Sequence, residues 1–321
     1  MIDTRSLITP HLIRNKNFYV AYSGGVDSTV LLKEVCEAAK KVNCNVTAIH
    51  INHGYSKFSD NWEQHCEKFC IEHDYPLQKF SLNIAEAEGA SLESAMREKR
   101  YEIFQSLIGK NETLFMGHHL DDQIETLFFR ILRGSGLKGS SSIPFKRNLG
   151  KGLLVRPFLN LSKKEIYEIA KLKKLKFIED ESNKDIKFDR NFLRNEVIEK
   201  ISERWPNYRK SLSKYIENQK SSHEFLKEIT TIELKKILHG KNIDVNKLKK
   251  YDSKYQKILI LQWLEMNNYN SPSSSALDEL TKFFVNSEKT KEPKFIWGSK
   301  EKGNYICLKI KKGIISIESN P

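Results

Sequence analysis

Residues 23–28 form a short loop whose residue types suit phosphate binding. The six residues are Ser23, Gly24, Gly25, Val26, Asp27 and Ser28, placed between an apolar run and a helical pattern. Glycines let the backbone approach a phosphate, and a helix N-terminus offers free N–H groups and a positive dipole end. Serine hydroxyls add hydrogen bonds, and the carboxylate of Asp27 can hold Mg²⁺. No Lys-Ser/Thr pair follows, so the loop is not of the Walker A type; a tight strand–helix connection is the alternative.

A second group of reactive side chains lies in residues 117–126. Two histidines and three carboxylates fall within eight residues, namely His118, His119, Asp121, Asp122 and Glu125. Asp122 and Glu125 are three residues apart, so on a helix they are neighbours. Acidic residues often stabilise helix N-termini. This role can explain the presence of one carboxylate but not the presence of the whole group. The spacing lacks the HExxH pattern of a zinc site, so zinc is not favoured here.

Short β-type runs alternate with helical patterns from residue 17 to about residue 158. Strands are predicted at residues 18–22, 46–51, 77–82 and 113–116, and helices near residues 28–42, 61–73 and 91–107. This alternation predicts an α/β fold, a doubly wound and mostly parallel sheet of Rossmann-like type. Ligands bind at the carboxyl ends of the strands in such sheets. Residues 23–28, 51–54 and 117–122 are therefore the candidate site segments.

The later part of the chain divides near Trp205 and Pro206. Residues 134–142 are rich in glycine and serine, which predicts either a mobile active-site loop or a plain connector. Helices are predicted at residues 162–174, 189–202 and 207–238, followed by further helical and β-type runs. We therefore expect a catalytic domain over residues 1–205 and a smaller, largely helical domain over residues 206–321 that ends in an α+β module.

Positive charge is concentrated in the second of these regions. The chain has 54 Lys and Arg against 41 Asp and Glu, a formal charge of +13. Residues 206–321 hold 22 of the basic and 13 of the acidic residues, a net of +9. This distribution favours a polyanionic partner such as RNA. A lysine-rich solvated surface is the alternative.

Other features exclude several classes of protein. Five cysteines without a CxxC pair argue against a disulfide scaffold and a zinc ribbon. No apolar run has the length of a membrane span, and no apolar segment follows a basic start. We therefore expect a cytoplasmic protein that does not contact a membrane. The sequence leaves the oligomeric state open, a homodimer included.

The loop at residues 23–28 resembles the PP-loop of ATP pyrophosphatases, which cleave ATP between the α and β phosphates. With the motifs that follow it, the chain resembles tRNA(Ile)-lysidine synthetase. The resemblance also rests on residues 51–54, 97–101, 117–136, 156–158, 178–183 and on Arg190-Asn191-x-x-Arg194. It covers roughly residues 15–205 in the family's order. The tail matches loosely, and its length is similar to a shorter form of the family that lacks a second C-terminal domain.

The resemblance implies a two-step reaction with ATP and Mg²⁺ as cofactors. ATP would adenylate the C2 carbonyl oxygen of the wobble cytidine in the CAU anticodon of tRNA(Ile), with release of pyrophosphate. Free L-lysine would then attack C2 and displace AMP, leaving lysidine. A cytosine carbonyl is a poor electrophile and AMP is a far better leaving group than oxide, so no side-chain nucleophile is needed.

The resemblance also implies a role for individual residues. The residues that would bind the nucleotide are Ser23, Gly24, Gly25, Val26, Asp27, Ser28 and His53. Asp27 and Asp122 would hold the metal, and both would also be catalytic residues. The α-phosphate and the adenylate would be stabilised by Arg97, His118 and Arg190. The spacing of the motif does not decide whether Arg97 or Arg100 takes the first of these roles. Glu125 would receive the amino groups of the substrate lysine.

Two other functions fit part of the pattern. A tRNA thiolase of the same fold would rely on a cysteine pair or an iron–sulfur cluster, whereas Cys66 and Cys70 are expected to be buried small apolar residues. A non-catalytic module that binds ATP and RNA would be expected to lose Asp27, Asp122 and Glu125. The sequence therefore favours lysidine formation over both.

Overall fold

A computed structural model describes residues 4–13, 16–54, 58–82, 92–179, 186, 189–269, 272–286, 294–299 and 304–318. The chain divides into two compact units, Met1–Lys220 and Ser221–Pro321. The functional boundary expected at Trp205 and Pro206 stays a prediction. Ser91, the first residue of the helix predicted near residues 91–107, and residues 180–185 lie outside the described residues.

The first unit is built on one six-stranded sheet. Its strands are β1 (Asn17–Ala21), β2 (Asn45–Asn52), β3 (Leu77–Ser81), β4 (Thr113–Phe115), β5 (Lys146–Leu149) and β6 (Gly152–Val155). Their order is β3-β2-β1-β4-β6-β5, and only the β5–β6 pair is antiparallel. The predicted doubly wound, mostly parallel sheet is confirmed. The β5–β6 hairpin was not predicted.

Helices of the first unit connect these strands. They are α1 (Thr4–Ile8), α2 (Val26–Lys41), α3 (Ser59–His73), α4 (Leu92–Leu107), α5 (Leu120–Leu132), α6 (Leu137–Ser140), α7 (Lys163–Leu172), α8 (Asp189–Phe192) and α9 (Glu199–Arg204). A π-helical segment, Leu193–Ile198, joins α8 to α9. A long helix, α10 (Tyr208–Ile237), begins in the first unit.

Each face of the sheet has its own apolar core. Side chains alternate along β1, so Phe18 and Val20 pack with α2 and α7, whereas Tyr19 faces the cluster that contains α4 residues such as Tyr101. The first core includes Val26 at the start of α2. The phosphate-type loop and α4 are therefore supported from opposite faces of one sheet.

The strand order creates a crevice between β1 and β4. β1 pairs with β2 on one side and with β4 on the other, so chain connections diverge at this point. Gly117, just after β4, lies so close to the loop that a Cβ there would be 3.1 Å from the carbonyl carbon and oxygen of Asp27. The two candidate segments predicted from sequence therefore meet at one edge of the sheet.

The second unit contains an antiparallel sheet and helices around a separate core. Its strands are β7 (Leu238–His239), β8 (Asn242–Asp244), β9 (Lys294–Ser299), β10 (Asn304–Lys311) and β11 (Ile314–Glu318), in the order β7-β8-β11-β10-β9. Its helices after α10 are α11 (Val245–Leu248), α12 (Ser253–Met266) and α13 (Ser274–Asn286). Trp263 of α12 is 1% exposed at the centre of this core. The second unit thus combines helices with an antiparallel sheet.

Among the helices that the structure describes, none combines the length and the apolarity needed to span a bilayer. All five cysteines are free thiols, and Cys66 and Cys70 are buried. Burial raises the pKa of each of these two thiols to about 12. They are therefore poor nucleophiles at neutral pH.

Candidate active site

The loop at residues 23–28 is held in a fixed conformation. Gly24 has a φ of +83°, and a Cβ there would lie 3.0 Å from both the Cys66 Sγ and the Ile178 Cδ1 atoms, so only glycine fits. The Gly24 carbonyl accepts a hydrogen bond from the Ile178 N–H at 2.9 Å. The hydroxyls of Ser23 and Ser28 lie 3.1 Å apart, and Ser28 also donates to the Gly25 carbonyl at 3.0 Å.

Helix α2 begins at Val26, so residues 26–28 of this loop form its first turn. Its N-cap is Gly25, which has no side chain that can bond to the N–H groups of the first turn. The N-terminal end of α2 therefore offers backbone donors and a positive dipole end at the mouth of the crevice. This geometry suits the β and γ phosphates of a nucleotide.

His119 lies between two carboxylates. Its Nε2 atom is 3.7 Å from the Asp27 Oδ1 and 3.6 Å from the Asp122 Oδ2. Its Nδ1 accepts a hydrogen bond from the Asp122 N–H at 3.3 Å, which leaves the proton of a neutral imidazole on Nε2, facing the carboxylates. His119 is 3% exposed. It was in the predicted motif but had no predicted role.

Asp122 is fixed by the start of α5. Its carboxylate accepts the His119 N–H at 2.9 Å, which completes a capping box with the bond described above. Burial alone would raise its pKa, but neighbouring His119 and Arg190 and this hydrogen bond hold the pKa of Asp122 below its usual range. Asp122 is therefore a carboxylate that stays ionised.

Asp27 differs from Asp122 in its surroundings. Burial raises the pKa of Asp27, an effect that His119 opposes. Its Oδ1 atom is buried and accepts no hydrogen bond within the part of the chain that the structure describes. A buried acceptor without a donor, beside a second carboxylate, suits a cation. In the described ranges, no group of three or more His, Cys, Asp or Glu residues is arranged to hold a metal ion, but Mg²⁺ at phosphate sites takes only one or two carboxylates.

Glu125 is bound by two arginines. Its carboxylate accepts hydrogen bonds from Arg190 Nε at 2.8 Å, from Arg194 Nε at 2.6 Å and from Arg194 Nη2 at 3.1 Å. Arg190 also donates to Asp122 at 3.0 Å. The Glu125 side chain is only 2% exposed. A buried carboxylate of this kind needs such partners, and together the four side chains form a network of charge-assisted bonds.

Arg194 is the member of this network that had no predicted role. It was part of the Arg190-Asn191-x-x-Arg194 motif, and the spacing of four residues is the signal that places both arginines on one side of a helix. In the structure, Arg194 lies in the π-helical segment Leu193–Ile198. Such segments are frequent at functional sites.

Asp121 faces away from this network. It accepts hydrogen bonds from the Lys163 N–H at 2.8 Å and from Arg209 Nε at 2.7 Å. A cavity of about 320 Å³ lies next to Asp121 and Glu125. Lys163, Arg194, Glu199 and Arg209 also line it, so its wall carries both signs of charge. A second cavity, of about 380 Å³, is lined by Trp205, Phe128 and Tyr208 and includes none of the predicted site residues.

The remaining predicted residues lie on other elements of the same edge. His53 follows β2; burial and then nearby Arg100 lower its pKa to about 4. Arg97, on α4, lies with its Cζ atom 5.0 Å from the centre of the Tyr101 ring. No hydrogen bond or ion pair in the described ranges joins Arg97 to Asp27, Asp122 or Glu125. Its predicted contact with the adenylate stays a prediction, as does the nucleotide contact of His53.

The glycine- and serine-rich stretch at residues 134–142 is tied to α5. The Ser142 hydroxyl donates to the Gln123 carbonyl at 2.7 Å, and Arg130 donates to the carbonyls of Gly139 and Ser142 at 3.1 and 2.8 Å. Gln123 also exchanges two hydrogen bonds with the Ile143 backbone. Of the two alternatives left by the sequence, the structure favours the connector.

His118 is expected to make the folded protein sensitive to acid. Burial lowers its pKa to about 3, and the charges of Arg156 and Arg190 act in the same direction against Asp122. A histidine in the unfolded chain takes a proton near its ordinary pKa of 6.5. Stability should therefore fall as the pH drops below that value, by up to about 1.4 kcal/mol per pH unit.

The variant His118→Gln should lose less stability than the unmodified protein between about pH 7.5 and about pH 5. Thermal unfolding followed by circular dichroism across that range measures the difference. His239→Gln, at an exposed position of the second unit, serves as the control. The same pH dependence for H118Q and the unmodified protein would contradict a neutral, buried His118.

Similarity to known proteins shows the family to which the chain belongs. Residues 3–201 match the PP-loop domain family. A tRNA(Ile)-lysidine synthase of Legionella pneumophila is 32% identical over 302 residues, which cover 92% of this chain and 69% of that protein. The chain belongs to the tRNA(Ile)-lysidine synthase family. A synthase of the same name from Pseudomonas putida is 41% identical over 71% of this chain and 53% of its own length.

The match to these lysidine synthases is partial in length. This chain spans 60%, 66% and 53% of three curated synthases that it resembles, from Coxiella burnetii, Buchnera aphidicola and Pseudomonas putida. Among solved structures, a tRNA thiolase from Methanococcus maripaludis has a TM-score of 0.53 and 19% identity over 67% of this chain and 77% of that chain. This likeness shows a shared fold. The predicted family is thus confirmed, and the PP-loop family implies ATP binding.

Proposed function

We propose that the protein is an ATP-dependent ligase that forms lysidine in tRNA(Ile) bearing a CAU anticodon, acting in the cytoplasm. In this reaction, the C2 oxygen of the wobble cytidine attacks the α-phosphorus of ATP and pyrophosphate leaves. The amino group of L-lysine then attacks C2, the C–O bond to AMP breaks, and the lysine nitrogen loses its proton. The observation that carries the proposal is that His119 lies between Asp27 of the loop and Asp122, which Arg190 links to Glu125, in a chain of this family.

The loop supports the first step by holding the leaving group. The N–H groups at the start of α2 have no side-chain cap, and together with the Ser23 hydroxyl they would bind the pyrophosphate. Asp27 would hold Mg²⁺ through its unpartnered Oδ1, with Asp122 as the second carboxylate. When bound, Mg²⁺ neutralises developing charge on the phosphate oxygens. His119 orients both carboxylates from between them.

The arginines support the second step by placing positive charge near the AMP leaving group. Arg190 contacts both Asp122, which would hold the metal, and Glu125, which would bind L-lysine. Its guanidinium is therefore fixed between these two carboxylates. His118 stays neutral at physiological pH because its pKa is about 3. It can therefore accept a hydrogen bond without adding charge.

The cavity of about 320 Å³ beside Glu125 supports binding of a free amino acid. L-Lysine carries two ammonium groups and one carboxylate, and the wall offers Asp121, Glu125 and Glu199 for the former and Arg194 and Arg209 for the latter. Glu125 is already bonded to two arginines. An incoming ammonium would therefore share Glu125 with Arg190 and Arg194.

The variant Glu125→Gln is expected to raise the KM for L-lysine by about tenfold to a hundredfold. Loss of a charge-assisted contact to an ammonium costs roughly 1.5–3 kcal/mol. The KM for ATP should change much less, because Glu125 has no contact with residues 23–28 in the described structure. Steady-state kinetics with one substrate varied and the others saturating measure both constants.

Glu203→Gln, an exposed carboxylate on α9 outside the cavity lining, is the matched control and should leave the KM for L-lysine unchanged. An unchanged KM for L-lysine in E125Q would place the amino-acid site elsewhere. Equal increases for ATP and L-lysine would show that Glu125 acts only by holding the two arginines.

A thiolase activity is less well supported. The thiols of Cys66 and Cys70 are buried with pKa values of about 12, so neither suits sulfur transfer. A purely binding module does not account for the ionised Asp122 and the unpartnered oxygen of Asp27.

Pyrophosphate release distinguishes the three functions. We expect release to require tRNA(Ile) with a CAU anticodon, and AMP release to require L-lysine as well. Product formation with a sulfur donor in place of lysine would indicate a thiolase, and ATP binding without turnover would indicate a binding module. Either result overturns the proposal.

A further inference from the structure

Three arginines surround the aromatic ring of Tyr101. The Cζ atoms of Arg97, Arg100 and Arg147 lie 5.0, 5.9 and 4.6 Å from its centre. Arg97 and Arg100 belong to the same helix as Tyr101, α4, whereas Arg147 comes from the edge strand β5. Cation–π contacts of this kind fix guanidinium orientation without neutralising the charge.

Arg156 adds a fourth guanidinium next to Tyr101. It follows β6 and is only 2% exposed, and it interacts with Tyr101 directly. Its Nη1 donates to the Pro144 carbonyl at 2.7 Å, but its buried Nε has no acceptor in the part of the chain that the structure describes. Burial of a guanidinium with an unsatisfied N–H donor costs folding free energy unless an anion accepts the hydrogen bond and balances the charge.

Arg97, Arg147 and Arg156 have no carboxylate partner among the ion pairs of the described residues. This sets them apart from Arg190 and Arg194, which bind Asp122 and Glu125. Their positive charge acts on neighbouring groups. Although burial opposes it, the arginines lower the pKa of Tyr101. The field of Arg156 also extends to His118 and helps to lower its pKa.

The position of this arginine cluster (Arg97, Arg100, Arg147 and Arg156) separates it from the phosphate loop. Tyr101 packs in the core on one face of the sheet, and Val26 of the loop packs in the core on the other. In the proposed function, the N-terminal end of α2 binds the pyrophosphate portion of ATP. An RNA substrate brings further phosphates, because a phosphodiester flanks the reacting nucleotide on each side.

We infer that the arginine cluster is a second phosphate site that binds a phosphodiester of the substrate RNA next to the reacting base. This inference rests on the proposed function for the identity of the RNA. Guanidinium groups held in fixed directions match the geometry of a phosphate, which accepts two parallel N–H bonds. Arg147 is the member chosen for the test, since Arg97 or Arg100 also has a predicted contact with the adenylate and Arg156 is buried and bonded to the Pro144 carbonyl.

The test compares Arg147→Gln with Lys146→Gln in the full chain. Side chains alternate along β5, so exposed Lys146 points to the face opposite Arg147, and K146Q removes the same charge outside the cluster. Binding of a fluorescent anticodon stem-loop RNA with a CAU anticodon is measured by anisotropy over a salt series. Binding of a non-hydrolysable ATP analogue is measured in parallel, and circular dichroism confirms folding.

For R147Q we expect RNA affinity to fall at least about tenfold. The slope of log affinity against log salt should decrease by about 0.7–0.9, the value for one phosphate contact. Affinity for the ATP analogue should not change, and K146Q should behave as the unmodified protein in both assays. Arg147→Lys, which retains the charge but not the planar donors, should recover part of the RNA affinity.

A loss of ATP-analogue affinity in R147Q with unchanged RNA affinity would assign the cluster to the nucleotide and overturn the inference. Equal RNA affinity for R147Q, K146Q and the unmodified protein would also overturn it and would make Arg147 a purely structural residue. Both assays measure binding without turnover. A protein that binds the RNA through Arg147 but forms no lysidine would disprove the proposed reaction only.

Discussion

Replacement of Asp27 by asparagine is expected to lower pyrophosphate release by at least about a thousandfold, because the site loses the charge that would hold Mg²⁺ at the leaving group. The same change is expected to leave the fold intact or to stabilise it. Burial raises the pKa of Asp27, so the folded state disfavours its ionised form. Removal of this charge should therefore raise the melting temperature at neutral pH.

The gain in stability should depend on pH with a definite sign. A carboxyl group whose pKa is raised on folding destabilises the folded state above its ordinary pKa of 3.8, and this effect disappears at lower pH. The difference in melting temperature between D27N and the unmodified protein should thus shrink as the pH falls toward about 4. Asp74→Asn, at an exposed position at the end of α3, is the control for both activity and stability. Normal pyrophosphate release by folded D27N would contradict the role given to the loop.

The second large effect is a loss of tRNA affinity, expected when positive charge beyond residue 205 is removed. This region carries +9 of the formal charge of +13, and we propose that it binds the body of the tRNA. Truncation after residue 205 is a poor test, since Tyr208 belongs to the first unit, where it is 5% exposed and packs with Ile124 and Ile198. Substitutions in the full chain avoid this problem. Four exposed lysines of the second unit are suitable: Lys241, Lys247, Lys250 and Lys254.

Combined replacement of these four lysines by glutamine should weaken tRNA binding and reduce its salt dependence. Each lost phosphate contact lowers the slope of log affinity against log salt by about 0.9 in a duplex region. Affinity for an ATP analogue should be unchanged. The control replaces four exposed lysines of the first unit: Lys41, Lys68, Lys110 and Lys171. Filter binding over a salt series gives both slopes, and equal slopes in the two variants would show that the charge of the second unit is only a solvated surface.

The fold could be predicted from sequence wherever local pattern decides the structure. The runs that became β1, β2 and β4 are short and largely apolar, as expected for central strands of a parallel sheet. The hairpin of β5 and β6 was missed because β5 reads Lys-Arg-Asn-Leu, with only Leu149 fully buried. An antiparallel edge strand needs few apolar residues and gives little signal.

The candidate site was predictable in its residue types but not in its pairings. The loop at residues 23–28 and the group around Asp122 have local signals, and the strand order brings them together. The bonds from Arg190 and Arg194 to Glu125 join residues more than sixty positions apart. Only the folded chain reveals that the carboxylate expected to receive L-lysine is already bonded to two arginines. The contact of Arg147 with Tyr101 depends on the missed hairpin and was equally hidden.

In the proposed reaction, L-lysine is joined to a cytidine of tRNA(Ile), so the modified RNA itself can be examined for the product. The purified protein is incubated with ATP, Mg²⁺, isotopically labelled L-lysine and tRNA(Ile) with a CAU anticodon, and the RNA is digested to nucleosides for mass spectrometry. We expect the wobble cytidine to be replaced by a nucleoside that contains the whole labelled lysine, only when ATP is present and not with the D27N variant. An unmodified cytidine in RNA recovered from a folded, ATP-binding protein would contradict the account.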